Sequence, residues 1–98
     1  MIVVFENKSL ELLYTQWIWV WYHPDIISWY IRKITFLMQA RDERDLKNFQ
    51  SLWFEKLRSY PKWGYSIRIN KKRRIIFDII YQGKTKVINI VELSNHYQ

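Results

Sequence analysis

Apolar residues recur with two different periods along this chain, and the change of period divides it. Met1–Phe5 is a short, mostly apolar run that reads as a strand. Lys8–Thr15 then places Leu10, Leu13 and Tyr14 on one side of a short helix, with Asn7 or Ser9 as its cap. Pro24–Ala40 carries the clearest helical signal. Pro24 suits a first turn, His23 before it is a helix-entry residue, and Ile27, Tyr30/Ile31, Ile34 and Leu37/Met38 form one stripe. Arg41–Asn48 is polar and reads as a final helical turn plus a loop. Beyond it the period falls to two. Tyr65–Asn70 alternates strictly, Arg74–Tyr81 follows a charged turn, Gln82-Gly83 signals a tight hairpin, and Thr85–Leu93 is a further strand. The segment Trp17-Ile-Trp-Val-Trp-Tyr22 fits a helix end, a strand or a buried loop: the alternation of Trp17, Trp19 and Trp21 suits a strand, and its place after a short helix leaves the three open.

Side-chain alternation also constrains how the strands pair, because a one-residue slip would turn every apolar residue to the wrong face. With residues 71–73 as the first loop, Ile67 faces Phe77, Ile69 faces Ile75 and Tyr65 faces Ile79. With Gln82-Gly83 as the second, Phe77 faces Ile88, Ile75 faces Ile90 and Arg74 faces Val91. Ile67, Ile69, Ile75, Phe77, Ile88 and Ile90 then share one face, to be buried against Ile27, Tyr30, Ile34 and Leu37. The other face carries Ser66, Arg68, Asn70, Arg74, Ile76 and Asp78. The last strand leaves the sheet just past Arg74, so Arg68, Arg74, His96 and Tyr97 converge at one end.

Charge sharpens this picture. The net charge is +7, yet the stretch from Lys56 to Lys86 holds ten Lys/Arg against one acid, Asp78, so the remainder is slightly acidic. A basic concentration of this kind attracts polyanions. Size and composition narrow the classes: 98 residues, 49% of them hydrophobic, suit one domain with a packed core. There is no cysteine, which excludes a disulfide framework and thiolate metal chemistry. Two histidines and scattered carboxylates do not make a metal centre. The uncharged run that begins at Leu12 is far shorter than the ~20 residues that cross a bilayer. The N-terminus has no basic leader pattern, so a soluble cytoplasmic protein without membrane association is expected.

The chemistry follows from what the basic half contains and lacks. Arg68 and Arg74, with no carboxylate between them, repel one another unless a phosphate lies between their forks. Lys56 and Arg58 are candidates for the same face. Lys62, Lys71, Lys72 and Arg73 are candidate contacts to an RNA backbone. Trp53, Phe54, Tyr60, Trp63 and Tyr65 interleave with these bases, as stacking residues do in single-strand binders. His96 is the histidine of the basic half and a candidate general acid or base, with Tyr97 as an alternative proton donor. RNA is cleaved without metal when its 2′-OH attacks the adjacent phosphate. That step needs a base, an acid and cations, and this set supplies all three kinds.

Several stretches, in order along nearly the whole chain, resemble the RelE/HigB-like toxins of bacterial toxin–antitoxin modules, specifically the HigB-like branch. They are Met1-Ile-Val-Val-Phe-Glu-Asn-Lys-Ser-Leu-Glu-Leu-Leu-Tyr14, Ala40-Arg-Asp-Glu-Arg-Asp-Leu46, Phe54-Glu-Lys-Leu-Arg58, Tyr65-Ser-Ile-Arg-Ile-Asn70, Arg74-Ile-Ile-Phe77 and Ile90-Val-Glu-Leu-Ser-Asn-His-Tyr97. The resemblance implies a single α+β domain over residues 1–98, with two N-terminal helices packed on a curved antiparallel sheet. It implies metal-independent, cofactor-free cleavage of mRNA in the ribosomal A site. It also implies restraint by a cognate antitoxin, of the helix-turn-helix HigA-like kind. By the same resemblance Arg58 falls where many members carry a catalytic or RNA-binding lysine, Arg68 and Arg74 on the strand arginines, and His96/Tyr97 on the C-terminal catalytic His or Tyr. Three features depart from the pattern: Arg58-Ser59 replaces a frequent Lys-Gly, Arg73 stands where an aromatic usually precedes the second arginine, and the Trp-rich 17–22 segment replaces a more polar connection. A ParE-like gyrase inhibitor and a non-catalytic RNA-binding or decayed toxin are the alternatives.

Overall fold

A computed structural model describes residues 1–16, 22–59 and 62–95, with the side chains of 58, 59, 62, 63 and 95 excepted. The described elements are β1 (Ile2–Phe5), α1 (Lys8–Thr15), α2 (Pro24–Gln39), α3 (Glu43–Asn48), a 3₁₀ turn (Gln50–Leu52), β2 (Glu55–Ser59), β3 (Lys62–Arg68), β4 (Arg73–Gln82) and β5 (Thr85–Asn95). The strands form one sheet in the order β1-β5-β4-β3-β2. β1 runs parallel to β5, and every other neighbouring pair is antiparallel.

The helices begin where local chemistry starts them. The Asn7 side chain accepts from the Leu10 amide at 3.0 Å and caps α1. His23 caps α2 through Nδ1, which accepts from the Asp25 amide, and Pro24 occupies the first turn. The stretch expected to be a helical turn plus loop is instead a separate helix, α3. Asp42 caps it by accepting from the Arg44 amide at 2.9 Å. The Trp-rich segment lies outside the described residues except for Tyr22, which is half-buried.

The core lies between α1, α2 and one face of the sheet. Ile67, Ile75, Phe77, Ile88 and Ile90 are fully buried with Tyr30, Ile34 and Leu37; Ile69 is buried with them and Ile27 packs against the cluster. The Tyr30 hydroxyl donates to the Leu10 carbonyl at 2.9 Å, which ties α2 to α1 and satisfies a polar tip in an apolar setting. Burial pushes that phenol well above its ordinary titration range.

The faces are as expected, but the partners are not. Tyr65 pairs with Phe77, Ile67 with Ile75 and Arg68 with Arg74, a slip of two residues from the expected ladder. The slip lengthens the β3–β4 connection, whose bend is held by Asn70: its Oδ1 accepts from the Lys72 and Arg73 amides at 2.9 Å. The second hairpin turns at Gly83-Lys84 rather than Gln82-Gly83, with Gly83 at φ +63°, and Phe77 therefore pairs with Ile90. A bulge between Ile76 and Phe77 leaves Val91 without a rung and changes the phase of β5. Arg74 consequently faces Ser94, not Val91. A shift of two preserves the face of every side chain, which is why the core set is correct while its rungs are not.

Candidate nucleic-acid interface

The face of the sheet away from the helices carries a polar ladder. One rung runs Glu55, Ser66, Ile76, Glu92 across β2 to β5, and the next runs Arg68, Arg74, Ser94. The two arginines are thus direct cross-strand neighbours, as the sequence led us to expect in kind if not in register. Their environments differ sharply.

Arg74 is buried, with 7% of its surface exposed. Its Nη1 donates to Ser66 Oγ at 3.0 Å and to the Trp53 carbonyl at 3.3 Å, and its Nη2 lies 3.3 Å from Glu55 Oε1 in an ion pair. Its Nε has no partner among the described atoms. The expectation that Arg74 faces Val91 with no carboxylate to serve the pair is therefore corrected. Glu55 immediately precedes Lys56, where the basic stretch was counted to begin, and β2 brings it to the rung beside Arg74. That strand carries a single apolar residue, Leu57, so alternation gave little sign of it.

Arg68 has a different neighbour. Its guanidinium carbon lies 4.4 Å from the centroid of the Trp53 ring, and among the described residues it makes no ion pair. Trp53 follows the 3₁₀ turn, sits at φ 51°, ψ 50° in the left-handed region, and is 53% exposed. A non-glycine residue there is strained by roughly 1–3 kcal/mol, so surrounding contacts must hold it. The bond from Arg74 to its carbonyl is one such contact. Trp53 thus joins the two arginines: its carbonyl accepts from one and its ring covers the other.

Of the remaining basic candidates with described side chains, Lys56 and Arg73 lie off this face. Lys56 pairs with Tyr65 and alternates with Glu55, so it lies on the helix-side face at the β2 edge, not beside Arg68. Arg73 likewise alternates with Arg74, and its guanidinium lies 4.9 Å from the Tyr22 ring centroid. Lys71 and Lys72 are exposed in the β3–β4 connection, next to the arginine rung. Arg58 and Lys62 are described by backbone alone, paired with Trp63 and Ser59 respectively. Among the aromatics, Phe54 and Tyr65 stack on one another and on Phe77 at the margin of the core, while Trp53 stands exposed. Tyr60, His96 and Tyr97 lie outside the described residues, as does the side chain of Trp63. β5 continues to Asn95, opposite Arg73, one rung beyond Arg74.

The chemistry of the described part of this face suits an anion with several oxygen acceptors, as a phosphodiester is. Arg68 offers a guanidinium whose positive charge no described carboxylate cancels, and the Arg74–Glu55–Ser66 bonds fix the backbone that carries it. Among the described residues no group of three or more His, Cys, Asp or Glu is placed to hold a metal ion, and no helix is long and apolar enough to cross a membrane.

No protein-family model matches the chain, and no curated protein matches it. Its order of elements, one edge strand, then the helices, then four antiparallel strands that join it in a single sheet, defines an α+β fold of the RelE/YoeB toxin type. Among solved structures it is similar to the YoeB/ParE toxin from Agrobacterium tumefaciens, with a TM-score of 0.58 and 20% identity over 99% of this chain and 100% of that one. The expected fold class is thereby met, with β1 as a parallel edge in place of a wholly antiparallel sheet.

Proposed function

We propose that this chain is the toxin of a type II toxin–antitoxin module of the RelE/ParE superfamily, in its HigB-like branch, acting as a ribosome-dependent mRNA endoribonuclease. The observation that carries the reading is the Arg68–Arg74 rung on the open face, in a fold shared along the whole chain with a protein named as a toxin. In this reading residues 1–98 form one cytoplasmic toxin domain. mRNA in the ribosomal A site is the substrate, and a HigA-like antitoxin is the restraining partner.

The reaction needs neither metal nor cofactor. A base takes the proton from the 2′-OH, whose oxygen attacks the adjacent phosphorus. An acid protonates the departing 5′-oxygen, leaving a 2′,3′-cyclic phosphate and a free 5′-OH. His96 is assigned the proton transfer, with Tyr97 as its alternative, because they directly follow the strand that ends opposite Arg73. Arg68 stabilises the charge on the phosphorane. Arg74 is already engaged by Glu55, Ser66 and Trp53, which makes it a positioning residue. Lys71 and Lys72 hold flanking phosphates. Arg58 stands with the catalytic set, as the family resemblance implies, and Lys56, Lys62 and Arg73 contribute longer-range attraction.

The test is induced expression with transcript ends mapped on ribosome-bound mRNA. Cleavage within A-site codons, relieved by co-expression of the antitoxin from the adjacent reading frame, is the expected outcome. Growth arrest with intact mRNA and loss of DNA supercoiling would replace this reading with gyrase inhibition.

A further inference from the structure

Beside the arginine rung lies a cleft of about 370 Å³ lined by Lys47, Phe49, Gln50, Trp53 and Phe54. Two of its walls are aromatic rings left in water: Phe49 and Trp53 are each 53% exposed. Both rings are braced rather than loose. Phe49 meets Phe36 edge-on, with centroids 4.8 Å apart. Trp53 is held by its carbonyl bond from Arg74, with Arg68 on one face of its indole.

Core packing does not account for this arrangement. An exposed indole contributes little to burial, and the left-handed backbone that presents it is costly for any residue with a Cβ. Glycine would occupy the same backbone without strain. Strain of this kind gathers where a side chain is being aimed. Here the aimed ring has a cation on one face, a second ring across a cleft, and a lysine at the rim. Flat, electron-rich groups attached to phosphates fit that set: the ring stacks, and the guanidinium takes the phosphate.

We infer that the Phe49–Trp53 cleft receives an unpaired nucleobase of single-stranded RNA whose phosphate is bound by Arg68. Trp53 is then a substrate-binding residue, and Arg74 sets its position through the backbone. This rests on the ribonuclease reading for the identity of the polymer and adds where a base is held. Lys47 at the rim favours the polyanion without selecting a base, so the cleft grips RNA with little sequence preference.

The experiment is fluorescence anisotropy with the purified full-length chain, using a short unstructured RNA and the same oligomer with abasic ribose at every position. Trp53→Gly keeps the left-handed backbone and the carbonyl, so its melting temperature should equal or exceed that of the wild type. Its affinity for the base-containing RNA should fall about tenfold, as for loss of one stacked base, with no change toward the abasic RNA. Phe49→Leu should show the same selectivity with a smaller loss, and it decides the matter should Trp53→Gly melt early. Arg68→Ala should weaken both RNAs and flatten the salt dependence. Equal losses on the two RNAs for Trp53→Gly, or no loss on either, would overturn the stacking site. So would absence of RNA binding by the wild type, whereas cleavage of ribosome-held mRNA would in every case decide the nuclease reading separately.

Discussion

On the helix-covered face of the sheet, Ile67, Ile75, Phe77, Ile88 and Ile90 pack with α2 into one apolar cluster. On the open face Ser66, Arg74 and Ile76 are nearly as inaccessible, yet Arg74 and Ser66 are held by directional bonds to each other, and Arg74 by further bonds to Glu55 and Trp53. The first face tolerates a change of partner so long as each residue stays inside. The second does not, because an ion pair or a hydrogen bond needs one particular neighbour. Stability is spread over the first face and focused on a few atoms of the second.

The largest effect should come from the helix-covered face. Phe77→Ala removes a fully buried ring that stacks on Tyr65 and Phe54, and should cost about 3–5 kcal/mol in urea unfolding. Arg74→Ala should cost about 2–3 kcal/mol, since it leaves Ser66 Oγ and the Trp53 carbonyl without their donor, while half-exposed Glu55 returns to water. Arg74→Lys should recover only part of this, because an ammonium cannot reach three acceptors as a fork does. If Arg74→Ala melts like the wild type, the contrast between the two faces fails.

The same contrast explains what was legible in the sequence. Face membership depends only on alternation, so Ile67 to Ile90 could be assigned to the core although the β3–β4 ladder was read two residues out of step, and the β4–β5 ladder two before the bulge and three beyond it. Rung membership depends on turn geometry and on the bulge at Val91, and neither leaves a clear mark in composition. The partners of Arg74 were therefore hidden. Glu55 reaches it only because β2 joins the sheet, and Ser66 lies beside it because the first hairpin closes later than its charged turn suggests. Trp53 was visible as an aromatic among bases, but its left-handed backbone was not. The first two helices were easier, because Asn7, His23 and Pro24 announce their boundaries locally, whereas α3 was read as a turn and a loop.

Smaller effects sharpen the comparison. Gly64 stands at φ +103° where an added Cβ would meet the Phe77 carbonyl at 2.6 Å and Asp78 Oδ1 more closely still. Gly64→Ala should therefore cost roughly 1–3 kcal/mol, measured by chemical denaturation, and Asp78→Ala should not relieve it because the backbone carbonyl remains. Asn7→Ala should cost about 1 kcal/mol through the lost cap of α1, seen as a small drop in melting temperature.

The smallest effect on stability should accompany the largest effect on activity. Arg68 shares its rung with Arg74, yet its described neighbour is an exposed ring that contributes about 0.5–1 kcal/mol at such a site. The direct measurement is mRNA cleavage on ribosomes by Arg68→Ala, set beside its thermal melt. The melt should lie near that of the wild type, and cleavage should fall by about two to three orders of magnitude, the scale of losing one preorganised donor to developing negative charge. An Arg68→Ala protein that folds normally and still cleaves at the wild-type rate would overturn the role given to this guanidinium.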